Sequence, residues 1–358
     1  MNNPVYVIAE AGVNHNGSLE RAMRMIDVAA EAGADAVKFQ SFKASNGISR
    51  HAPKAQYQMR HTDVDESQHE MVSRLELNET AHFSLQEHCR KRQIEFLSTP
   101  YDFWSLDLLV NKCRLAKLKI ASGEITNAPL LLKASQSGIP IILSTGMSTL
   151  DEVKAALGVL AFGYLGLDTK PGLDNFHAAF SSEAGHKLLS ERVTLLQCTT
   201  EYPAPYEDVN LRAMDTLASA FGLRVGFSDH TEGIATCIAA VARGATVIEK
   251  HFTLDRNLPG PDHKASLEPH DLARLIGAIR QVEQALGSSL KTPAESEMKN
   301  LPIARKSLVA ACGIKKGETF TVQNIAIKRP GSGVSPMKYW EMLGRAAQRD
   351  YDSDDAID

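Results

Sequence analysis

The sequence lacks several features that would assign it to a common class of protein. Its 39 basic and 43 acidic residues leave a formal net charge of −4, so no basic excess favours nucleic acid or an anionic membrane as a partner. No apolar run approaches the roughly 20 residues needed to cross a bilayer. The N-terminus, Met-Asn-Asn-Pro, has neither a basic region nor a long apolar region, so we expect no signal peptide.

Cysteine is also scarce. The chain has five widely spaced cysteines and no C-x-x-C motif: Cys89, Cys113, Cys198, Cys237 and Cys312. An odd number without paired spacing is not typical of a disulfide framework or of a zinc finger. We therefore expect a protein of a reducing compartment, with the cytoplasm as the simplest location.

The sequence does contain a repeated unit, in which a short run rich in Val, Ile and Leu precedes a helical segment. In the first unit Ser18 is a good N-cap, and the spacing of Leu19, Met23, Ile26 and Ala30 places them on one helix face. Strands are predicted at residues 5–11, 36–42, 95–100, 115–121, 140–145, 193–199, 224–228 and 246–252. Eight such units predict a (β/α)8 barrel, which occupies roughly 250 residues. A doubly wound open sheet is the alternative, although it rarely contains eight regular units.

The repeat of strand and helix is interrupted in two places and ends before the C-terminus. Residues 43–78 are expected to form an excursion over the barrel mouth, and residues 164–191 a second interruption; each is interpreted as either a lid or a surface loop. We predict a barrel over residues 1–287, a polar linker over 288–302 and a small, mostly β domain over 303–358. Because so small a domain has a thin core, we expect it to dock on the barrel mouth of its own chain or of a partner chain. We also expect its acidic C-terminal tail to be frayed.

Polar side chains end nearly every predicted strand. Since barrel active sites lie at the C-terminal ends of the strands, this pattern predicts a functional mouth. His230 and His251 end neighbouring strands, and two neutral imidazoles suit a divalent metal with positions left open for water and substrate. The alternative is a pair of hydrogen-bonding histidines. Glu10, on the first strand, is interpreted as a metal ligand, a base or a member of an ordinary ion pair.

Two lysines face the same predicted mouth. Lys38 and Lys119 are suited to a phosphate or carboxylate, with hydroxyl donors from Ser122, Ser144 and Ser228. In the rival functional interpretation, one of these lysines forms a Schiff base with the substrate. In the interpretation without function, each lysine is a solvated charge at the rim of the barrel. In the small domain, Arg329 precedes a Pro-Gly turn that either reaches into the mouth or is a plain surface turn.

The motifs in their order resemble those of the phosphoenolpyruvate-dependent nonulosonic acid synthases, which make N-acetylneuraminate, N,N′-diacetyllegionaminate and their relatives. The resemblance covers essentially the whole chain. The matching stretches are residues 8–17 (IAEAGVNHNG), 37–40 (VKFQ), 97–100 (LSTP), 119–124 (KIASGE), 142–147 (ILSTGM), 201–203 (EYP), 228–231 (SDHT), 249–253 (EKHFT), 260–263 (GPDH) and 328–331 (KRPG).

The resemblance implies a (β/α)8 barrel followed by an antifreeze-like (SAF) domain, which covers the active site of the other subunit in a domain-swapped homodimer. It implies that His230 and His251 hold a divalent metal, manganese first and magnesium or cobalt otherwise, with Glu10 as the catalytic carboxylate. The implied phosphoenolpyruvate contacts are Lys38, Lys119, Ser122, Ser144 and Ser228. The implied sugar contacts are Gln40, Glu124, Tyr202, Asp262 and Arg329, the last donated by the partner subunit.

The implied reaction joins C3 of phosphoenolpyruvate to the aldehyde of an open-chain sugar, adds water at C2 and releases phosphate. The sugar is N-acetylmannosamine or 2,4-diacetamido-2,4,6-trideoxymannose, and the sequence leaves this choice open, although residues 122–127 and 198–202 look closer to the legionaminate branch. Gln197 stands where many relatives have His. A Schiff-base aldolase using Lys38 or Lys119 and a non-catalytic sugar-binding protein remain as alternatives.

Overall fold

The structure is a computed structural model that describes residues 4–62 and 66–358. The chain forms two compact units, Met1–Gly287 and Ser288–Asp358. The predicted excursion at 43–78 includes residues 63–65, which lie outside the described residues. Within the described residues, no helix is both long and apolar enough to cross a membrane.

Eight parallel strands form the centre of the first unit. They are β1 (Tyr6–Gly12), β2 (Ala36–Ser41), β3 (Glu95–Pro100), β4 (Leu118–Ile120), β5 (Ile141–Ser144), β6 (Val193–Cys198), β7 (Arg224–Asp229) and β8 (Val247–His251). Each overlaps its predicted run. Their order is β3-β2-β1-β8-β7-β6-β5-β4, so the last strand returns to pair with the first. The predicted barrel is confirmed, and the open-sheet alternative is wrong because its strand order would not follow the chain in this way.

Helices surround the strands. They are α1 (Leu19–Glu31), α2 (Ala44–Gly47), α3 (Gln56–His61), α4 (Gln68–Ser73), α5 (Glu79–Arg92), α6 (Phe103–Asp107), α7 (Ala128–Gln136), α8 (Leu150–Leu165), α9 (Leu173–Ser181), α10 (Glu183–Arg192), α11 (Ala213–Phe221), α12 (Ala235–Ala242) and α13 (Pro269–Leu286). Ser18 caps α1 as predicted, because its hydroxyl accepts a hydrogen bond from the Arg21 N–H at 3.2 Å.

The inside of the barrel is filled in layers. One layer is apolar and buried: Ile8, Ala36, Leu97, Ile142, Leu196 and Val247. Because successive side chains of a strand alternate between its two faces, the residues two positions further along also point inward. Those residues are polar or sulfur-bearing: Glu10, Lys38, Thr99, Ser144, Cys198 and Glu249. The apolar layer therefore closes the barrel beneath a polar layer at its mouth.

The two interruptions have different structures. The described part of 43–78 contains α2 to α4, and its residues line a cavity at the mouth. Residues 164–191 contain α9 and most of α10, which pack against α8 in the outer helical ring. The interpretation of the second interruption as a lid is therefore wrong, because its apolar side chains, Phe176 among them, are used to pack against α8.

The second unit pairs β9 (Ser307–Ala310) with β10 (Ile325–Lys328) in antiparallel fashion and contains α16 (Tyr339–Met342). The predicted linker, 288–302, contains α14 (Glu295–Met298) and the start of α15 (Leu301–Ala304), so part of it is helical. The expectation of a frayed tail is wrong. Ile357 is fully buried, and its N–H donates to the carbonyl of Leu308 at 2.9 Å.

Candidate active site

Four charged side chains meet in the polar layer of the barrel. The Lys38 Nζ lies 2.7 Å from Glu10 Oε2 and 3.7 Å from Glu249 Oε2. The Lys119 Nζ lies 3.6 Å from Glu249 Oε1. All four residues are at most 5% exposed, so two positive and two negative charges share a nearly dry space. An unpaired charge there would be costly, which explains why the lysines and carboxylates come together.

Burial and neighbouring charges shift the pKa values of these groups. Burial raises the pKa of Glu10 to about 7, against the opposing charge of Lys38, and Glu249 adds to the rise. Burial also lowers the pKa of Lys119, and the positive charge of Lys38 assists while Glu249 opposes. The pKa of Lys38 is raised, because the charges of Glu10 and Glu249 outweigh the cost of its burial. Glu10 is therefore suited to exchanging a proton near neutral pH.

The predicted serine donors surround the lysines, but their partners differ. Ser144 accepts a hydrogen bond from Lys119 Nζ at 2.7 Å, and Ser228 donates to Glu249 Oε1 at 2.9 Å. Ser122 instead accepts from the Gly146 N–H at 2.9 Å and lies 3.0 Å from Cys198 Sγ. Ser144 and Ser228 thus lie in the charged cluster, whereas Ser122 holds the loop after β5.

The two predicted metal ligands are close together beside this cluster. The ring centroids of His230 and His251 are 5.4 Å apart, and the Tyr202 ring lies 4.2 Å from that of His230. His230 Nδ1 lies 2.6 Å from the Thr199 carbonyl oxygen, so it donates there and leaves Nε2 as a lone-pair atom. Among the described residues, the buried His251 Nδ1 has no hydrogen-bond partner.

Both histidines are neutral at neutral pH. Burial lowers the pKa of His230 to about 4, and burial, assisted by electrostatic interaction with His230 and with nearby lysines, lowers the pKa of His251 well below its usual value. Neutral imidazoles are the form that binds metal. Among the described residues, no group of three His, Cys, Asp or Glu is placed to hold a metal ion.

A bulge after Glu10 brings the first strand close to the histidines. The register of β1 on β2 shifts between Glu10 and Gly12, and Gly12 has a φ of +52°. A Cβ at position 12 would lie 3.3 Å from Glu10 Oε1, Gln40 Nε2 and His251 Cε1. Glycine is thus required both by the backbone conformation and by the space that these three side chains occupy.

The predicted sugar contacts of the barrel share one cavity of about 230 Å³. Gln40, Glu124, Tyr202 and Asp262 all line it. Burial raises the pKa of Asp262 to about 6 and, with a smaller effect from Asp102, raises that of Glu124. Gln40 also approaches the charged cluster, because its Nε2 donates to Glu10 Oε1 at 3.4 Å.

The sequence is similar to those of known proteins over nearly its whole length. The NeuB family matches residues 25–291, and the SAF domain matches residues 305–357. The chain is 52% identical over 351 residues to the N,N′-diacetyllegionaminic acid synthase of Campylobacter jejuni, with 98% of each chain covered. It is 42% identical over 339 residues to the enzyme of that name from Legionella pneumophila, with 95% of this chain and 89% of the relative covered.

The chain belongs to the NeuB family. A solved structure of N-acetylneuraminic acid (sialic acid) synthetase from Leptospira borgpetersenii superposes with a TM-score of 0.66 at 34% identity, covering 83% of this chain and 90% of that one. The family and the SAF domain predicted from the motifs are therefore confirmed.

Two further residues of this NeuB member were singled out from the sequence, Gln197 in the first unit and Arg329 in the second. Arg329 is exposed and belongs to the second unit, next to a cis peptide bond with Pro330. Gln197, the departure from the family pattern, donates from Nε2 to the Val209 carbonyl at 3.1 Å. Its amide therefore anchors the segment after β6.

Sequence reasoning noted Glu249 and Thr99 at strand ends but did not assign them to the site. Glu249 contacts both lysines, and Thr99 Oγ1 accepts from Lys38 Nζ at 3.1 Å. The signal available in the sequence was strand periodicity, since Glu249 stands two positions before His251 and shares its face. Periodicity shows that Glu249 points into the barrel, but it does not show which residues Glu249 contacts.

Replacing Asp262 by Asn should stabilise the protein in a pH-dependent way. The raised pKa of about 6 means that the folded state resists ionisation of this carboxyl above its unfolded pKa of about 4. The wild type therefore loses stability relative to D262N as the pH rises from 4 to 6, and the variant should be more stable by up to about 3 kcal/mol at pH 7. Urea denaturation at pH 4, 5, 6 and 7 measures the difference.

The matched control is Asp168→Asn, because Asp168 is exposed and should give a small difference at every pH. A stability difference between D262N and the wild type that does not change with pH would contradict the burial argument.

Proposed function

We propose that this chain condenses phosphoenolpyruvate with an open-chain acylamino hexose and water to give a nonulosonic acid and phosphate. The observation that carries the proposal is a buried pair of lysines and two neutral histidines at the mouth of the same barrel whose four predicted sugar contacts line one cavity. Two relatives that cover nearly the whole chain are named N,N′-diacetyllegionaminic acid synthase, which makes N,N′-diacetyllegionaminate the preferred product.

Lys38, Lys119, Ser144 and Ser228 would anchor the phosphate and carboxylate of phosphoenolpyruvate. Their nitrogen and oxygen atoms already lie within one charged cluster, so little reorganisation is needed when the substrate binds. Ser122 would act indirectly, by holding the loop after β5, since its hydroxyl oxygen accepts a hydrogen bond from the Gly146 N–H in that loop. Fixing both substrates in a shared site removes the entropy cost of bringing them together in the reaction step.

We propose that His230 and His251 would hold a divalent metal, with manganese first and magnesium or cobalt as alternatives. The donor set fits a metal because both rings are neutral and His251 Nδ1 is buried without a partner among the described residues. When bound, such an ion supplies Lewis acidity toward the sugar aldehyde. The protein leaves the remaining coordination positions to water and substrate.

Glu10 would accept a proton from the attacking water. C3 of phosphoenolpyruvate bonds to the aldehyde carbon, which leaves positive charge at C2. Water then adds at C2 and gives a proton to Glu10, whose pKa of about 7 suits that transfer. The bond between C2 and the phosphate-bearing oxygen of the tetrahedral intermediate then breaks, the C2 hydroxyl becomes the ketone, and phosphate leaves with its charge stabilised by Lys38 and Lys119. Of the two protons of the attacking water, one passes from Glu10 to the oxygen of the former aldehyde and the other leaves with phosphate.

We propose further that the protein works in the cytoplasm as a homodimer, in which the SAF domain of each subunit covers the partner's barrel mouth and supplies Arg329 to the acylamino group. The SAF unit has large exposed apolar side chains, Met337 at 86% and Trp340 at 78%, which is typical of a surface that another body covers. All five cysteines are free thiols, which favours a reducing compartment.

Phosphate release from phosphoenolpyruvate tests the reaction. We expect release with manganese and 2,4-diacetamido-2,4,6-trideoxymannose, and loss of release with excess chelator or in His251→Ala. Circular dichroism should show that the variant remains folded. Chelator-insensitive release, or normal turnover by the variant, would contradict the metal assignment. If neither sugar gives release and borohydride traps substrate on Lys38 or Lys119, the Schiff-base aldolase is the better account.

Mixing two inactive variants tests the shared site. Glu10→Ala lacks a barrel residue, whereas Arg329→Ala lacks an SAF residue, so a mixed dimer would contain one complete site. Co-refolded or co-expressed chains should recover up to about a quarter of the wild-type activity, since half of the dimers are mixed and half of their sites are complete. Absence of any recovery, with mixed dimers present by mass spectrometry, would argue against the swap.

A further inference from the structure

A second buried ion pair joins β7 to β8, and the proposed mechanism gives it no role. The Lys250 Nζ lies 2.8 Å from Asp229 Oδ2, and both side chains are 0% exposed. The two residues stand opposite each other in the register of the parallel strands. Because side chains alternate along a strand and Ser228 and Glu249 point into the barrel, Asp229 and Lys250 point to its outer face. The pair is therefore separate from the charged cluster at the mouth.

Every polar atom of this ion pair has a hydrogen-bond partner. Asp229 Oδ1 accepts from the Thr231 N–H at 2.9 Å, and Oδ2 accepts from Thr236 Oγ1 at 2.7 Å and from Cys237 Sγ at 3.1 Å. The Lys250 Nζ also donates to the Thr231 carbonyl at 2.5 Å. Thr236 and Cys237 belong to the first turn of α12. The pair thus connects two strands, the loop after β7 and the start of the following helix.

Packing alone does not require charges at these two positions. Phe227 and Ile248 lie two residues earlier on the same outer face, are opposite each other in the register, and are buried in the hydrophobic core. An apolar pair at positions 229 and 250 would continue that packing. Since taking two charges out of water is costly, well-packed apolar side chains often stabilise a fold at least as well as a buried ion pair. The charges at this place therefore need a reason other than stability.

The reason lies in the residues that follow. His230 comes directly after Asp229, and His251 directly after Lys250, so the ion pair is the last register contact between the strands before the two histidines. The His230 ring is also held by the Thr199 carbonyl, whereas His251 Nδ1 has no partner among the described residues. Bonds from a divalent metal to imidazole nitrogen are roughly 2.1 Å long, so a small shift of one strand would separate the two donors.

We propose that Asp229 and Lys250 are positioning residues, which hold the ends of β7 and β8 so that His230 and His251 can bind one divalent metal ion. This inference rests on the metal site of the proposed function. Neither residue of the pair touches metal or substrate in this account. Their effect passes through the backbone of the next residue, and a ligand pair that is held in place before the metal arrives binds it with less reorganisation.

Calorimetric titration of manganese into the protein without substrates is the test. The double variant Asp229→Asn/Lys250→Met removes both charges and keeps the approximate size of both side chains, so no buried charge is left unpaired. It should bind manganese about tenfold or more weakly than the wild type, as expected when groups that orient metal ligands are lost. Its affinity for phosphoenolpyruvate without metal should stay within about twofold, because Lys38 and Lys119 stand on other strands.

Thr236→Val is the second variant, since it keeps the shape of the side chain and removes one hydrogen bond to Asp229. It should weaken manganese binding in the same direction by a smaller factor, and it decides the question if the double variant does not fold. The matched control is Val241→Ala, because Val241 is a core residue of the same helix and is 1% exposed. That variant should lose stability to urea but bind manganese like the wild type.

Wild-type manganese affinity in the folded double variant overturns the inference, and so does a weakening in Val241→Ala as large as that in the double variant. Both outcomes leave the proposed metal site intact, because the wild type still binds manganese. A wild type that binds no manganese removes the proposed metal site itself, and the inference with it.

Discussion

Two lysines and two glutamates share the closed centre of the barrel, and the rest of the site depends on their mutual attraction. Glu10 pairs with Lys38 at 2.7 Å, and Glu249 lies between Lys38 and Lys119. A charge that is buried away from water costs much free energy unless an opposite charge lies beside it. The ion pairs therefore hold the two lysines at the place where we propose that the anionic substrate binds.

This environment results from the alternation of inward-facing and outward-facing side chains along the barrel strands. An apolar layer fills the interior, and the next inward positions of the same strands carry the charged groups. Packing of the apolar layer excludes solvent from below. Electrostatic interactions are stronger in such surroundings than in water, so a few hydrogen bonds to a transferring phosphate have a large effect. The same exclusion keeps His230 and His251 neutral.

Much of the fold could be predicted because it follows from local rules. The eight strands, the Ser18 cap and the polar strand ends are all properties of short stretches of sequence. The partners of Glu249 could not be predicted, since they depend on the register between strands. The role of 164–191 and the burial of Ile357 were missed because tertiary packing decides them: α9 packs on α8, and the last residues pair with Leu308. The roles of the site residues came from the family motifs, and spacing alone left their alternatives open.

The central claim is that the buried lysine pair is the anion site, and calorimetric titration of phosphoenolpyruvate into the protein without sugar tests it most directly. Lys119→Met should weaken binding by about tenfold or more, because a charge-assisted hydrogen bond is lost. Lys117→Met is the control, since Lys117 pairs with Glu95 at 2.6 Å, at the start of β3 and away from the mouth, and it should bind like the wild type. Equal affinity in the wild type and Lys119→Met, with both folded, would contradict the claim.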